Sequence, residues 1–157
     1  MIERRTALKV LVAAPLIPLA TRAEARDYAS AGEVLGEIDR LESELDARLA
    51  ALGAGFPAAA ELAASVRADH DRHRRARLAL RRRLRLSEAA PSSPPRAGLA
   101  SVDALRALAQ DLVHAYAEGL PAIKDAQGVD VLARHMVDDA RHLAILQMWT
   151  ETEQPGG

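Results

Sequence analysis

Four stretches of the chain repeat their apolar residues at the three-and-four spacing of an amphipathic helix. The first, Asp27 to Leu52, sets Ala31, Val34, Leu35, Ile38, Leu41, Leu45, Leu49 and Leu52 on one stripe. It stops at Gly53-Ala54-Gly55-Phe56-Pro57, where Gly ends one helix and Pro opens the next. The second, Pro57 to Leu86, carries Leu62, Val66, Leu80 and Leu84 on its stripe. The third starts at the N-cap Ser101 and carries Leu105, Leu108, Leu112, Tyr116 and Ile123. It reaches Ala126, with a kink expected at Gly119 and Pro121. Gly128 marks a turn, and the fourth stretch, Val129 to Glu153, carries Leu132, Met136, Leu143 and Leu146. The pattern predicts an all-α fold, a four-helix bundle of two helical hairpins joined by a longer linker.

That linker, Ser87 to Leu99, holds Pro91, Ser92, Ser93, Pro94 and Pro95. Its thirteen residues can stretch to roughly 40 Å, and a helix of some 25 residues is roughly 38 Å long. It is long enough for a crossover along the bundle and serves a slack up-down turn equally well.

Residues 1–25 read as an export signal, leaving 26–157 as the bundle. Arg4-Arg5-Thr6-Ala7-Leu8-Lys9 precedes an apolar run from Val10 to Ala20, and Ala23-Glu24-Ala25 is a small-x-small cleavage site. The run is short and contains Pro15 and Pro18, so it spans a membrane poorly. The R-R-x-x-L-K order resembles twin-arginine signals, which carry folded proteins across a membrane, although Ala7 stands where an aromatic is usual. The expected location is periplasmic or extracellular. Of the 21 basic and 22 acidic groups, cleavage removes four and two, which takes the formal charge from −1 to −3.

Composition narrows the chemistry. A chain of 157 residues supports one domain with a core. The absence of cysteine excludes disulfides, zinc–thiolate sites, iron–sulfur clusters, c-type haem and a lipoprotein anchor. Tyr28, Phe56, Tyr116 and Trp149 are too few for a base-stacking platform, and with no basic net charge a nucleic-acid partner does not fit. No Ser-His-Asp order, phosphate-binding glycine loop or His-Glu-x-x-His sequence is present. The second helix is rich in arginine, including Arg77 and Arg81, and the first in acids, including Asp39 and Asp46, so the hairpin neighbours can pair charges.

The informative residues are polar ones on apolar faces. Glu42 falls inside the first stripe and Glu37 at its edge; His70 and His73 lie within the second, and His135, Asp139 and His142 within the fourth. Only His114 among the five histidines points to a polar face. Burying so many ionisable groups is costly unless they are paired or bind metal. His70-x-x-His73 and Asp139-x-x-His142 each project two side chains from one face, so each pair can grip one ion. Imidazole with carboxylate suits iron, zinc, manganese or copper. The candidate ligands for a divalent metal are therefore Glu37, Glu42, His70, His73, His135, Asp139 and His142. The same groups suit a metal-free bundle with a buried Asp–His hydrogen-bond network.

The two-hairpin pattern resembles the ferritin-like superfamily, in particular its small exported members. Asp138-Asp139-Ala140-Arg141-His142 followed by Leu143-Ala144-Ile145-Leu146 resembles the Glu-x-x-His run of the last ferritin-like helix, with Asp139 in the glutamate position. Asp69-His70-Asp71-Arg72-His73 resembles the equivalent motif of the second helix, with His70 in the glutamate position. The resemblance implies a metal site, with iron foremost and a redox or storage role, to which the first and third helices each add a glutamate. Facing favours Glu42 on the first helix; counting outward from the turn favours Glu37. The third helix departs from the family, because its stripe has Ala109, Leu112 and Tyr116 and no carboxylate. A mononuclear, His-rich or degenerate site fits better than a full di-iron site. Partners that fit are a metal ion, a second copy or an envelope protein, with membrane contact only through an uncleaved signal. The alternative function is a metal-free structural or interaction module of the cell envelope.

Overall fold

A computed structural model describes residues 26–54, 56–87 and 101–149. The proposed signal, most of the Pro-rich linker and the tail lie outside these residues. The described residues form an all-α four-helix bundle: α1 (Ala31–Gly53), α2 (Pro57–Arg83), α3 (Val102–Gly119) and α4 (Ala126–Met148), with a 3₁₀ turn at Leu120–Ala122. None of these helices is long and apolar enough to cross a membrane.

Local chemistry accounts for the boundaries. Ser30 caps α1, its hydroxyl accepting from the Glu33 amide at 3.3 Å, while the Glu33 carboxylate accepts from the Ala29 amide at 3.0 Å. Pro57 opens α2, as its missing N–H allows. Ser101 caps α3 through the Ala104 amide at 3.1 Å. The expected turn at Gly128 is corrected: Asp125 caps α4 by accepting from the Gly128 amide at 2.6 Å, so Gly128 lies inside the helix. The site is tight: a Cβ would stand 3.0 Å from side-chain atoms of both Ile123 and Leu80, which would have to shift by a few tenths of an ångström. The expected extension of the third helix to Ala126 is corrected too. The α-helix ends at Gly119, where a Cβ would sit 2.5 Å from Val34, and Pro121 follows within the 3₁₀ turn.

Helix α1 packs on α2 and α3, and α4 packs on α3 and α2. Every adjacent pair is antiparallel. The start of α1 meets the end of α3 through Val34 and Gly119. Along the α2–α4 seam, Asp69 meets His142 while Arg83 meets Asp125. Consequently α2 ends beside the α3–α4 turn, whereas α3 begins at the opposite end, where Arg106 donates to the Leu146 carbonyl and Phe56 meets Trp149 edge-on. The chain between Ser87 and Ser101 therefore joins opposite ends of the bundle. This decides between the two linker topologies in favour of the crossover.

The apolar core contains Val34, Leu35, Ile38, Leu45, Leu49, Val66, Leu105, Leu112, Leu132 and Leu146, all buried. Between its two ends lies a polar layer. Glu42, His70, His73, Arg77, Tyr116, His135, Asp139 and His142 are all buried there, each flanked along its own helix by core residues.

Candidate metal centre

Helical spacing builds this layer. On α2, positions three and four apart place His70, His73 and Arg77 on the inner face; on α4 the same spacing aligns His135, Asp139 and His142. From α1 comes Glu42, and from α3 Tyr116, also fully buried. Two groups of three ligating side chains result, His70–Asp139–His142 and Glu42–His73–Asp139, and in each the ligand atoms lie within 4.8 Å of one another. Asp139 belongs to both.

The first triad is symmetrical about Asp139. His70 Nε2 lies 3.0 Å and His142 Nδ1 3.2 Å from Asp139 Oδ1. The outward nitrogens meet two further carboxylates: His70 Nδ1 lies 2.7 Å from Asp46 and His142 Nε2 2.9 Å from Asp69. Each ring thus has a carboxylate oxygen at both nitrogens. A carboxylate can only accept, so without metal each ring carries two protons and a positive charge. Burial opposes that charge, but hydrogen bonds to Asp139 and Asp46 and the nearby Glu42 push the His70 pKa up to about 10. His142 is raised by the same balance, through Asp139 and Asp69. Asp139 is held well below the usual carboxylate range, since the two imidazoliums outweigh its burial.

The second triad is looser. His73 Nδ1 lies 3.4 Å from Glu42 Oε1 and 3.7 Å from Asp139 Oδ2. Both His73 Nδ1 and Asp139 Oδ2 are buried with no hydrogen-bond partner among the described residues. The outward His73 Nε2 stands 3.4 Å from Asp138. Glu42, by contrast, is fully engaged. Arg77 grips it with both terminal nitrogens, Nη1 donating to Oε1 at 2.7 Å and Nη2 to Oε2, and Tyr116 donates to Oε1 at 3.0 Å. Burial alone would raise the Glu42 pKa; the His73 contact and the Arg77 charge bring it down to about 2. Arg77 also donates from Nε to Asp39 at 2.8 Å, and Arg81 reaches the same carboxylate at 3.2 Å.

The candidates named from sequence divide clearly. Glu42, His70, His73, Asp139 and His142 fall in the two triads. His135 is buried in the same layer but in neither triad; its ring stacks on His73 at 4.0 Å between centroids. Glu37 lies elsewhere, paired with Arg40 at 2.8 Å and Arg26 at 3.4 Å. Sequence reasoning missed Arg77, whose burial depends on Glu42 and Asp39 across the hairpin, and the outer carboxylates Asp46 and Asp69. The Asp69-His70 and Asp138-Asp139 adjacencies were the available signals.

The histidines also set the pH response of the metal-free chain. Burial, with the charges of His73 and Arg77, pushes the His135 pKa down to about 4, whereas an unfolded histidine titrates near ~6.5. Between these values the unfolded chain binds a proton that the folded one refuses, so stability falls as pH drops from ~6.5. His70 acts in the opposite sense. Its contribution is complete below ~6.5 and is lost as pH rises towards about 10. The melting temperature of the metal-free protein is therefore expected to peak near pH ~6.5, and His135→Phe is expected to flatten the acid limb down to about pH 5. An unchanged acid limb in that variant would remove His135 as the cause.

Exchange of charge defines what the first triad can hold. Replacing the inner protons of His70 and His142 by one divalent cation leaves the net charge of the layer unchanged, and the outer protons stay on the two rings, donated to Asp46 and Asp69. That outer pattern is the one by which carboxylates orient metal-binding imidazoles. Bonds of about 2.1 Å place neighbouring ligand atoms roughly 3.0–3.4 Å apart in octahedral or tetrahedral sites, and the nitrogen-to-Oδ1 separations lie in this range. The buried His/Asp/Glu groups can hold a divalent metal ion. Comparisons of the chain with protein-family models, with characterised proteins and with solved structures return no match.

Proposed function

We propose that this protein binds one divalent transition-metal ion, iron foremost, through His70 Nε2, Asp139 and His142 Nδ1, as an exported ferritin-like protein with a redox or storage role. One observation carries the reading: both rings turn their inner nitrogens onto one buried carboxylate while their outer nitrogens are held by Asp46 and Asp69. The nitrogen–oxygen set suits iron, zinc and manganese. The crossover topology and the Asp139-x-x-His142 pair on α4 support the ferritin-like assignment; α3 contributes Tyr116 in place of a carboxylate.

His70 is charged at neutral pH and the contacts of His142 with Asp139 and Asp69 favour its charged form, so an ion displaces up to two protons, and its affinity is expected to climb with pH by up to about a hundredfold per unit. Calorimetric titration of iron(II), manganese(II) or zinc(II) in buffers of different ionisation enthalpy measures that release. Saturable uptake of one ion with about two protons released supports the site. No uptake of any of the three would leave the second reading, a metal-free envelope module. What favours this second reading is that both nitrogens of His70 and His142 already have carboxylate partners.

Export forms part of the proposal, on the Arg4-Arg5 signal and its Ala23-Glu24-Ala25 cleavage site. Replacing Arg4 and Arg5 with Lys is expected to retain the precursor in the cytoplasm. Normal export of that variant would discard the twin-arginine route and leave a general secretory signal.

A further inference from the structure

We propose that the Arg77 guanidinium occupies a second cation position in the centre and thereby limits the chain to one metal ion. The inference rests on the metal reading of the His70–Asp139–His142 triad. The second triad has the ligands of an N/O site. Its separations of 3.4 and 3.7 Å from His73 Nδ1 compare with an edge of about 3.4 Å in a tetrahedral site with bonds of about 2.1 Å. Two of its atoms, His73 Nδ1 and Asp139 Oδ2, are buried and free of hydrogen bonds among the described residues. What it lacks is a free carboxylate oxygen on Glu42. An oxygen offers two lone pairs, and those of Glu42 Oε1 are taken by Arg77 Nη1 at 2.7 Å and Tyr116 OH at 3.0 Å. Arg77 Nη2 takes Oε2.

Arg77 differs from the histidines in a decisive respect: a guanidinium does not give up its charge at any physiological pH. An ion can displace protons from His70 and His142, but it cannot neutralise Arg77. Nor can Arg77 swing away easily. It is 1% exposed, donates to Asp39 from behind, and contacts Tyr116 through Nη1 at 3.3 Å. A second ion would have to approach this fixed charge and break a two-point ion pair. Arg77 therefore sets the metal stoichiometry of the centre without touching the ion in the first triad.

Arg77→Gln removes the charge and keeps an amide that can still donate to Glu42. Zinc(II) titration of the full chain, read by native mass spectrometry and elemental analysis, is expected to give one ion for the wild type and two for this variant. Arg77→Gln combined with Glu42→Gln should return to one, because the second ligand set is then incomplete. Arg77→Lys, which keeps a cation, should also hold one. One ion in both the wild type and Arg77→Gln overturns this inference and leaves the metal reading intact; two in the wild type overturns it as well. No ion in any protein, with zinc(II) and again with iron(II) and manganese(II), overturns the metal reading itself, and this inference with it. If Arg77→Gln is unfolded without metal, its helical circular dichroism is followed during zinc addition. Recovery ending at two ions per chain supports the inference, and recovery ending at one overturns it.

Discussion

Asp139→Ala is expected to abolish metal binding at the proposed centre and to cost much of the chain's stability. In the metal-free state Asp139 Oδ1 lies between two imidazoliums, His70 and His142, whose ring centroids are 5.8 Å apart. Removing the carboxylate leaves two like charges facing each other in a buried layer. Taking one partner from a buried ion pair costs about 3–5 kcal/mol, a large part of the ~5–15 kcal/mol by which a domain is folded. Urea unfolding of the metal-free proteins measures the loss. A drop below about 1 kcal/mol, the worth of an exposed pair, would show that solvent reaches this layer. The same variant removes the shared ligand. Because loss of an outer carboxylate alone weakens metal binding roughly 10–100-fold, loss of Asp139 should weaken it more than about 100-fold.

The second large effect lies at Glu42 and Arg77. Glu42 is fully buried and Arg77 nearly so, and each is the main counter-charge of the other. Glu42→Leu and Arg77→Met are each expected to destabilise the metal-free protein by about 3–5 kcal/mol, since either leaves a buried charge without its partner. The double variant should be far nearer the wild type. It buries two apolar side chains where two charges had to be desolvated, and such replacements are often neutral or stabilising. A double-mutant cycle reads the coupling directly. Additive losses would mean that Asp39 holds Arg77, and Tyr116 and His73 hold Glu42, independently of the pair.

Much of this layer was legible in the sequence because helical periodicity reports facing. Glu42, His70, His73, His135, Asp139 and His142 were all assigned to core stripes, and all are buried. Periodicity does not report level, meaning which residues stand opposite each other across a hairpin. Counting outward from the 53–57 turn sets Glu37 against His73. In the fold, Gly53 lies against Ala60 and not Pro57, so the first turn of α2 overlaps the end of α1. That stagger slides the pairing by about a turn and sets Glu42 against His73 and Asp46 against His70. Arg77 was hidden for a different reason. Among many arginines on one helix, its composition reads as solvated surface, and only the acidic side chains across the seam make its burial affordable. The crossover was legible as a length but not as a path. The linker reaches either end of the bundle, and the pairing of α1 with α3 decides between them.

Because the crossover separates the two hairpins in sequence, the contacts that close the polar layer are expected to come late in the chain's assembly. His70 and Asp139 are 69 residues apart, and Asp69 and His142 are 73. Each hairpin can zip through local contacts, but bringing the two together closes a long loop, which carries the entropic cost of ordering. An ion held by α2 and α4 bridges the halves and is fully gripped only once they have docked. It therefore acts mainly on the rate at which the docked halves come apart, with little effect on the rate at which they meet. A metal ion bound there would work as a latch on lifetime: the loaded chain would persist longer in the folded state while reaching it no faster.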